Sequence, residues 1–527
     1  MTAFADVRGF VRYVRGLPRY LAEPMSEDAA RQRIAGDLAH REESFLAVLE
    51  RGVFAASTNP YRRLFARAGI EFHDVAELVR SDGLEPALAR LHDEGVWLSI
   101  AEVKGKEPVR RGDWTMEIEP GALHNTLVTG HFEASTSGSR SAGGTPFWVD
   151  LADTRHSSAY AVLACTAFGL GRARGAIWFP APPGVAGIRR ALWWSKSDVS
   201  LERWFAQTVP RWRGTEIKRA VFVHWTVTAS RRAGRPLPRP EYTPPAQALR
   251  VARWLAEPGR SVLFGAPSSG VRACEAAAEV GLDLGGTFFS FGGEPYTEAK
   301  ARAIEGAGAR AESSYYISEL GGPIALGCPN GHAIDEAHVA EDRVAVIEQE
   351  RTLAGGAVVR PLYVTTISPL APQIAINVET GDYAVERSAS CGCPYDEAGL
   401  KRTLHTIRSY EKLSTEGMHF FAPQLVALLE DVLPQRFGGG PSDYQLVEDE
   451  DADGRTRIVL RVAPRVGALD EHEVAATALG FLRAQGPVES MMARIWKAGE
   501  TLQVVRQEPE ISAAGKVLPL QISGARD

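Results

Sequence analysis

Apolar residues recur at two different spacings along this chain. Between residues 26 and 100 they follow a helical period, as in EDAARQRIAGDLAHREESFLAVLERG and DGLEPALARLHDEG, and each of these runs stops at a glycine. This spacing predicts a helical segment over residues 1–100.

From about residue 101 the pattern alternates between strand-like and helical stretches. The β-branched or aromatic runs predicted as strands are AIWFP, AVFVHWTVTA, SVLFGAP, GTFFSFGG and VAVIEQE, and the helical stretches include PAQALRVARWLAEPG and GVRACEAAAEVG. This alternation predicts an α/β fold with mixed sheets in several layers and buried strands. The proline-rich segment 231–245 is predicted to be a connector within this region.

After about residue 408 the pattern changes to that of a small α+β unit. A helix is predicted in APQLVALLEDVLP, strands in YQLVEDE and TRIVLRVAP, and a further helix in DEHEVAATALGFLRAQG. The acidic run DEDADG lacks the last glutamate of a calcium loop and is predicted to be a hairpin turn. The organisation we expect is a large domain, made of residues 1–100 and a core at 101–407, followed by a small C-terminal domain at 408–527.

Composition and charge argue against two classes of partner, nucleic acids and membranes. With 45% hydrophobic residues, 24% charged residues and a formal net charge of -6, the chain resembles an ordinary globular protein, and no nucleic-acid partner is expected. The most apolar run, AYAVLACTAFGLG, is too short to cross a bilayer, so no membrane partner is expected. Five irregularly spaced cysteines indicate a reducing compartment, and a cytoplasmic enzyme is the expectation.

Residues 134–150, ASTSGSRSAGGTPFWVD, form the strongest candidate for a phosphate-binding loop. Glycines and hydroxyl side chains in one loop can present several donors to phosphate oxygens, although a plain surface loop has the same composition. The candidate residues are Ser135, Thr136, Ser137, Gly138, Ser139, Arg140, Gly143, Gly144 and Thr145. The FGLGRARG run does not keep the dinucleotide-binding spacing, and the chain has no Walker-type phosphate loop.

Five further segments follow this loop in a fixed order: FFSFGGEPYTEAK, SSYYISELGGP, ETGDYAV, HTIRSYEKLSTEGM and EISAAGKVLPLQ. The ordered set resembles the adenylate-forming superfamily of acyl-CoA synthetases and luciferase-like enzymes, and within it the phenylacetate-CoA ligase branch. The resemblance runs from about residue 130 to the C-terminus. The segment NPYRRLFARAGI is also similar to an N-terminal stretch of that family.

The resemblance implies a role for each matching residue. The loop Ser135 to Thr145 would hold the β- and γ-phosphates of ATP, and Glu319 would bind Mg²⁺ and act in catalysis. Lys516 would be the mobile catalytic cation that stabilises charge when the carboxylate attacks the α-phosphorus. The small domain would be a mobile lid that rotates about residues 409–412. The implied nucleoside-binding residues are Gly293, Glu294, Pro295 and Tyr316 at the adenine and Asp382 and Arg408 at the ribose. Ser318 is also implied to bind ATP or AMP.

Cysteine spacing suggests a second site. Cys391 and Cys393 are one residue apart, and Cys328 and His332 lie together in CPNGH. Three cysteines and one histidine suit a structural tetrahedral zinc site. Free buried thiols beside a hydrogen-bonded histidine are the alternative. Members of the resembled branch carry similar cysteine and histidine motifs at these two places, which favours the metal.

The resemblance implies an ATP-dependent ligase that activates a small carboxylic acid and transfers the acyl group to a thiol, with coenzyme A as the expected co-substrate. Transfer to an acyl carrier protein, to a protein cysteine or to an amine is the alternative, and a non-catalytic binding protein on the same scaffold is a third possibility. The aromatic segments GTFFSFGG and VHWTVT are expected near the acyl pocket and suggest a flat or apolar acid, although such rings are more often core residues.

Overall fold

A computed structural model gives the structure of the chain over most of its length. The described residues are 3–119, 121–128, 130–135, 146–182, 184, 186–209, 212, 217–352, 358–388, 390–409, 413–415, 418–420, 422–450, 456–485, 493, 496, 502–511, 517 and 519–522.

A mixed sheet of 13 strands, counted among the described residues, forms the centre of the molecule. One half is parallel, and the other half is antiparallel except for Leu98–Ser99, which pairs in parallel with Val378–Ser388. The strand Arg310–Ile317 joins the two halves because it pairs in parallel on one side and antiparallel on the other. From one edge the order is Val344–Glu348, Pro361–Thr366, Val378–Ser388, Arg402–Ser409, Ala337–Val339, Gly322–Gly327, Arg310–Ile317, Thr287–Gly292, Ser261–Gly265, Arg174–Trp178, Ser200–Ala206 and Pro240–Tyr242, with Leu98–Ser99 beside Val378–Ser388. The predicted connector 231–245 thus contributes the edge strand Pro240–Tyr242, where a proline is tolerated.

Helices cover the sheet, and their ends follow local sequence signals. The hydroxyl of Ser26 accepts a hydrogen bond from the Ala29 amide at 3.2 Å, and Asn59 caps the helix in which Pro60 is the first residue. The α-helices of the large domain are Ala3–Ala22, Glu27–Ala39, Arg41–Leu49, Pro60–Ala68, Phe72–Asp82, Leu84–Asp93, Ile100–Val103, Leu151–Ala167, Ala186–Trp194, Ile217–Arg232, Ala248–Leu255, Pro267–Glu279, Glu298–Gly306 and Pro394–Glu397. Single turns of other helix types lie at Glu50–Phe54, Pro245–Gln247 and Ser318–Leu320. The helical prediction for the first hundred residues is therefore confirmed.

One predicted strand is a helix. The run AVFVHWTVTA lies inside Ile217–Arg232, and its buried residues include Phe222, Val223, Thr226 and Val227. These positions recur at helical spacing, and Tyr13 of the first helix donates to or accepts from Thr226 at 2.8 Å. Packing against the first helix therefore overrides the strand preference of the β-branched residues.

The C-terminal segment has its own hydrophobic core. Its antiparallel strands Tyr444–Glu450 and Thr456–Val462 flank the predicted hairpin turn, and Leu502–Arg506 and Leu520–Ile522 complete a four-stranded sheet. The helices here are Ala422–Ala427, Leu428–Val432, Leu433–Phe437 and Glu471–Gln485, with a short turn at Pro464–Val466. The buried cluster of this region draws only on residues from Leu425 onwards, among those described. We refer to this unit as the small lobe.

Short two-stranded ribbons complete the fold. They are Val109–Arg111 with Trp114–Met116, Phe132–Ser135 with Pro146–Val149, Arg351–Thr352 with Val358–Val359, and Leu413–Thr415 with Met418–Phe420. The second ribbon flanks the candidate phosphate loop. Among the described residues, no helix combines the length and the apolar character that crossing a bilayer would require.

Candidate functional site

Two neighbouring parallel strands bring the predicted adenine-binding segments together. The strand Thr287–Gly292 leads directly into Gly293, Glu294 and Pro295, and the strand Arg310–Ile317 leads into Ser318. Gly292 is paired in register with Ser314. Because the strands run in the same direction, both segments leave the sheet at its carboxyl edge, which is where open α/β sheets bind ligands.

Glu294 is fixed by the first turn of a helix. Its carboxylate accepts hydrogen bonds from the Ser268 amide at 3.1 Å and from the Ser268 hydroxyl at 2.9 Å. Ser268 is the second residue of the helix Pro267–Glu279, so the negative charge lies where the helix dipole favours it. Gly293 and Pro295 on either side of Glu294 are exposed and lie at the open edge of the sheet.

Tyr316 lies flat against the backbone of the neighbouring strand. A Cβ atom at Gly292 would lie 2.7 Å from the Tyr316 ring, so glycine is required for this approach. The Arg190 guanidinium lies over the same ring, 4.4 Å from its centroid. Burial raises the pKa of the Tyr316 hydroxyl, which therefore stays protonated at neutral pH.

Asp382 and Arg408 lie on adjacent antiparallel strands, where Asp382 pairs with Ser409 and Tyr383 with Arg408. The Tyr315 hydroxyl donates to the Asp382 carboxylate at 2.7 Å, which links the ribose candidate to the strand that precedes Ser318. Arg408 instead donates to Asp335 at 2.7 Å. The sequence reasoning missed Asp335, because a single acidic residue in a turn carries no distinguishing pattern.

The turn that carries Glu319 rests on a buried cluster of charges. Arg189 and Arg343 both donate to the carbonyl of Gly321, and both are paired with the carboxylate of Asp153. All three charged side chains are nearly inaccessible to solvent. Burial lowers the pKa of Arg189 to about 10, so it remains charged at neutral pH. The backbone just after the expected Mg²⁺ ligand, Glu319, is thus held in place by the two arginines.

Several predicted site residues lie outside the described part of the structure. These are Thr136, Ser137, Gly138, Ser139, Arg140, Gly143, Gly144, Thr145 and Lys516. For Ser135 and Glu319 the backbone alone is described, in the strand Phe132–Ser135 and the turn Ser318–Leu320. Their predicted roles stay predictions.

The structure brings the three predicted cysteines together around a histidine. The Nε2 atom of His338 lies 3.2 Å from the sulfur of Cys328, 3.4 Å from that of Cys391 and 3.3 Å from that of Cys393. The sulfurs of Cys328 and Cys391 are 3.7 Å apart. A tetrahedral zinc ion, about 2.3 Å from sulfur and about 2.0 Å from nitrogen, would separate its ligand atoms by roughly 3.5–3.8 Å. The observed separations lie within about 0.3 Å of these values, so the four side chains are close enough to bind such an ion.

The structure places His338, and not the predicted His332, beside the three cysteines. His332 is exposed at the tip of the connection after Cys328, and its backbone amide donates to Glu336 at 2.7 Å. His338 lies on the returning strand, paired with Leu326, so it faces the cysteines from across the hairpin. The short spacing in CPNGH favoured His332, whereas a histidine among apolar residues, as in EAHVA, has the pattern of a core residue.

Hydrogen bonding orients the ring of His338. Its Nδ1 atom lies 2.8 Å from the carbonyl of Leu400. Because a carbonyl can only accept, Nδ1 carries the proton and the lone pair of Nε2 points at the three sulfurs. Contact with Cys328, outweighing burial, lowers the pKa of Cys393 to about 4, so one thiolate forms readily in this cluster.

Comparisons with known proteins bear on the fold. No protein-family model and no curated protein matches the chain. A 2-hydroxyisobutyryl-CoA ligase solved in the postadenylation state with 2-HIB-AMP is 16% identical, with a TM-score of 0.53 over 95% of this chain and 90% of the ligase.

Two other solved structures match at lower scores. The anthranilate-CoA ligase AuaEII in complex with anthranoyl-AMP is 10% identical, with a TM-score of 0.45 over 73% of this chain and 65% of that one. The amide bond synthetase McbA from Marinactinospora thermotolerans is 15% identical, with a TM-score of 0.41 over 96% and 98% of the two chains. The likeness to the 2-hydroxyisobutyryl-CoA ligase shows that this chain shares the fold of that ligase.

Proposed function

We propose that the protein is an AMP-forming ligase that activates a carboxylic acid with ATP and passes the acyl group to a thiol, with coenzyme A as the acceptor. The observation that carries this proposal is that residues 293–295, Tyr316 and Ser318 all lie at the same edge of the sheet. The Tyr315 hydroxyl, on the same strand as Tyr316, donates a hydrogen bond to Asp382. The family resemblance implies that these segments bind the nucleoside, and a nucleoside site requires them close together.

The first step forms an acyl-adenylate. An oxygen of the substrate carboxylate attacks the α-phosphorus of ATP, the bond to the bridging oxygen of the β-phosphate breaks, and pyrophosphate leaves. Tyr316 and the Gly293–Pro295 segment would hold the adenine, and Asp382 would accept hydrogen bonds from the ribose hydroxyls. Arg408 would reach the same ribose. The loop Ser135 to Thr145 would bind the outer phosphates, and Lys516 would stabilise the negative charge of the transition state.

The second step transfers the acyl group. A thiolate attacks the carbonyl carbon, a thioester forms, and AMP leaves as the displaced group. Glu319 would hold Mg²⁺ for the first step, since that ion takes hard oxygen ligands. Rotation of the small lobe about residues 409–412 would open the path for the thiol.

We also propose that Cys328, His338, Cys391 and Cys393 hold one structural zinc ion. Four protein ligands leave no open position for a substrate, so the ion would contribute to folding rather than to catalysis. It would connect the end of the Gly322–Gly327 strand to the segment that follows the strand bearing Asp382.

Acid-dependent exchange of labelled pyrophosphate into ATP tests the proposal. We expect exchange only when a suitable carboxylic acid is present. Lys516→Ala should abolish it while the protein stays folded, and Asp382→Asn should reduce kcat/KM for ATP by about 10- to 100-fold, because a hydrogen bond to a charged group is lost. Glu386→Gln, on the same strand as Asp382, is the control and should change little.

The acceptor is identified in a second assay. The preformed acyl-adenylate is offered coenzyme A, a carrier-protein phosphopantetheine thiol or a primary amine, and the acylated product is measured. Faster acyl transfer to a carrier protein or to an amine than to coenzyme A would contradict the proposed acceptor. A protein that exchanges no pyrophosphate with any acid would contradict the ligase activity itself.

A further inference from the structure

One aspartate holds the arginine that is expected to contact the ribose. The Nη1 atom of Arg408 donates to the Asp335 carboxylate at 2.7 Å, and the two side chains are 15% and 7% exposed. The other carboxylate oxygen of Asp335 accepts a hydrogen bond from the Thr406 amide at 3.0 Å. A single carboxylate therefore contacts the strand Arg402–Ser409 at two positions, one of which is the candidate ribose-binding residue.

Strand pairing explains why this carboxylate lies there. Ala337 is paired with Leu404 in antiparallel register. Continuing that register by two residues brings Asp335 opposite Thr406, but the strand Ala337–Val339 begins only at Ala337. The amide of Thr406 would therefore lack a partner in the ladder, and a buried amide needs one. The side chain of Asp335 supplies the acceptor.

The backbone at Thr406 is bent. Its φ angle is 54°, in the left-handed region, which a β-branched residue rarely adopts. Such a conformation persists only where the surrounding contacts hold it, and it is concentrated at functional sites. The hydrogen bond to Asp335 is one of these contacts. Because Arg408 follows two residues later, the bend affects the direction in which its side chain leaves the strand.

The connection that carries Asp335 is held by its own hydrogen bonds. The carboxylate of the next residue, Glu336, accepts from the His332 amide at 2.7 Å and from the Thr403 hydroxyl at 2.9 Å. The Cys328 amide donates to the carbonyl of Glu336 at 2.8 Å. Asp335 and Glu336 are both buried. The protein itself therefore fixes the position of Asp335.

Only one nitrogen of Arg408 is engaged. Nη1 donates to Asp335 and to the carbonyl of Ile407 at 2.8 Å. The hydrogen bonds found among the described residues do not include the Nε and Nη2 atoms of Arg408, which carry the three other N–H groups of the guanidinium. A guanidinium that is fixed through one nitrogen can present these donors to a hydroxyl with little further loss of rotamer freedom.

We propose that Asp335 is a positioning residue for the ribose, because it fixes Arg408 through Nη1 and leaves the Nε and Nη2 donors for a ribose hydroxyl. The inference rests on the proposed function, since it takes Arg408 as the ribose contact of that nucleotide site. Asp335 itself does not touch the nucleotide. It contributes to affinity, because an arginine that is already ordered loses less conformational entropy when the ribose binds.

Equilibrium binding of ATP tests this inference and does not require the acid to be identified. Isothermal titration calorimetry compares ATP, 2′-deoxyATP and 3′-deoxyATP, each with Mg²⁺. The wild-type protein should bind one of the two analogues at least about 10-fold more weakly than ATP, because that analogue leaves a charged donor without its acceptor.

Asp335→Asn removes the charge that holds Arg408, while the asparagine oxygen can still accept from the Thr406 amide. We expect it to weaken ATP binding by about 3- to 10-fold, which corresponds to the ordering of one long side chain. Binding of the discriminated analogue should weaken by less than about twofold, because that analogue lacks the hydroxyl that Arg408 binds.

Two further variants separate positioning from a general loss of structure. Asp335→Glu keeps the charge and should restore part of the discrimination between ATP and the analogue. Asp283→Asn changes an exposed turn aspartate that also accepts a backbone amide, that of Gly285 at 2.8 Å, and it should bind all three nucleotides like the wild type. Equal weakening of ATP and both analogues by Asp335→Asn, or no weakening at all, would overturn the inference.

Pyrophosphate exchange distinguishes this failure from a failure of the proposed function. A wild-type protein that binds ATP with the expected preference, but exchanges no pyrophosphate with any acid, would contradict the ligase activity and leave the role of Asp335 standing. A protein that exchanges pyrophosphate, but binds ATP and both analogues equally, would overturn the role of Asp335 and leave the ligase activity standing.

Discussion

His338 determines whether the cysteine cluster can bind a metal. The side chain is fully buried, and the hydrogen bond from its Nδ1 atom to Leu400 fixes the lone pair of Nε2 towards three sulfurs. We predict that the protein purified without chelator contains about one zinc per chain. His338→Ala should lose most of this zinc and lower the free energy of unfolding by more than about 2 kcal/mol, because metal binding contributes directly to folding.

His332 provides the matched control. It is a histidine six residues earlier in the chain, in the connection that leads to the strand of His338, but it is exposed, so His332→Ala should keep both the zinc and the stability. Elemental analysis after gel filtration and urea unfolding measure the two quantities. Loss of zinc from His332→Ala with retention in His338→Ala would refute the ligand set.

Sequence reasoning found part of this site for a physical reason. Cysteines are rare in the chain, so the pair at Cys391 and Cys393 and the single Cys328 attract notice. The correct histidine is brought to them by a strand pairing, since His338 lies across from Leu326.

At the level of elements, the Asp153 cluster connects two helices to the backbone of Gly321, which follows the turn Ser318–Leu320. Asp153 lies on the helix Leu151–Ala167, Arg189 on Ala186–Trp194, and Arg343 just before the strand Val344–Glu348. Asp153→Asn would remove the carboxylate with which both buried guanidinium groups are paired. We predict a loss of about 3–5 kcal/mol in the free energy of unfolding, measured by urea denaturation.

A surface ion pair provides the comparison. Arg436 and Glu473 lie 2.8 Å apart, and more than half of each side chain is exposed. Glu473→Gln removes the same kind of interaction where water can replace it, so the stability should change by less than about 1 kcal/mol. Equal effects of the two substitutions would mean that the Asp153 cluster is solvated, contrary to its burial.

Elements with clear boundary signals could be predicted from sequence, and elements defined by packing could not. The runs SVLFGAP and GTFFSFGG are strands as predicted, since short apolar runs between glycine and proline residues have few other solutions. The segment Ile217–Arg232 has strand-like composition but is helical, because its buried side chains meet the first helix. Local composition contains no information about that neighbour.

At the scale of the whole molecule, charged contacts join the small lobe to two helices of the large domain. Glu430 of the small lobe is paired with Lys300 at 2.9 Å and accepts from Thr297, and Arg465 is paired with Glu275 at 2.7 Å. The order of motifs predicted a separate C-terminal unit, but it did not predict these contacts. If the small lobe rotates between the two proposed steps, these pairs must break and form again.

Glu275 makes this contact dependent on pH. Burial outweighs the effect of Arg465 and raises the pKa of Glu275 from 4.5 to about 7; Asp443 raises it further and Arg272 opposes the rise. A carboxyl group whose pKa is higher in the folded state favours folding most below its unfolded pKa, and that contribution is lost as the pH rises through the folded pKa. The contribution of Glu275 should therefore decrease between about pH 4.5 and pH 7.

Glu275→Gln isolates this effect, because glutamine resembles the protonated side chain at every pH. We predict that the unfolding free energy of the wild type minus that of Glu275→Gln falls by about 1–2 kcal/mol between about pH 5 and pH 8, with the other carboxylates cancelling in the difference. Urea unfolding at each pH measures it. A difference that stays constant, or that rises with pH, would show that Arg465 dominates and that Glu275 is already ionised in the acidic range. Because Arg465 belongs to the small lobe, the same substitution should also make the contact between the lobes independent of pH in this range.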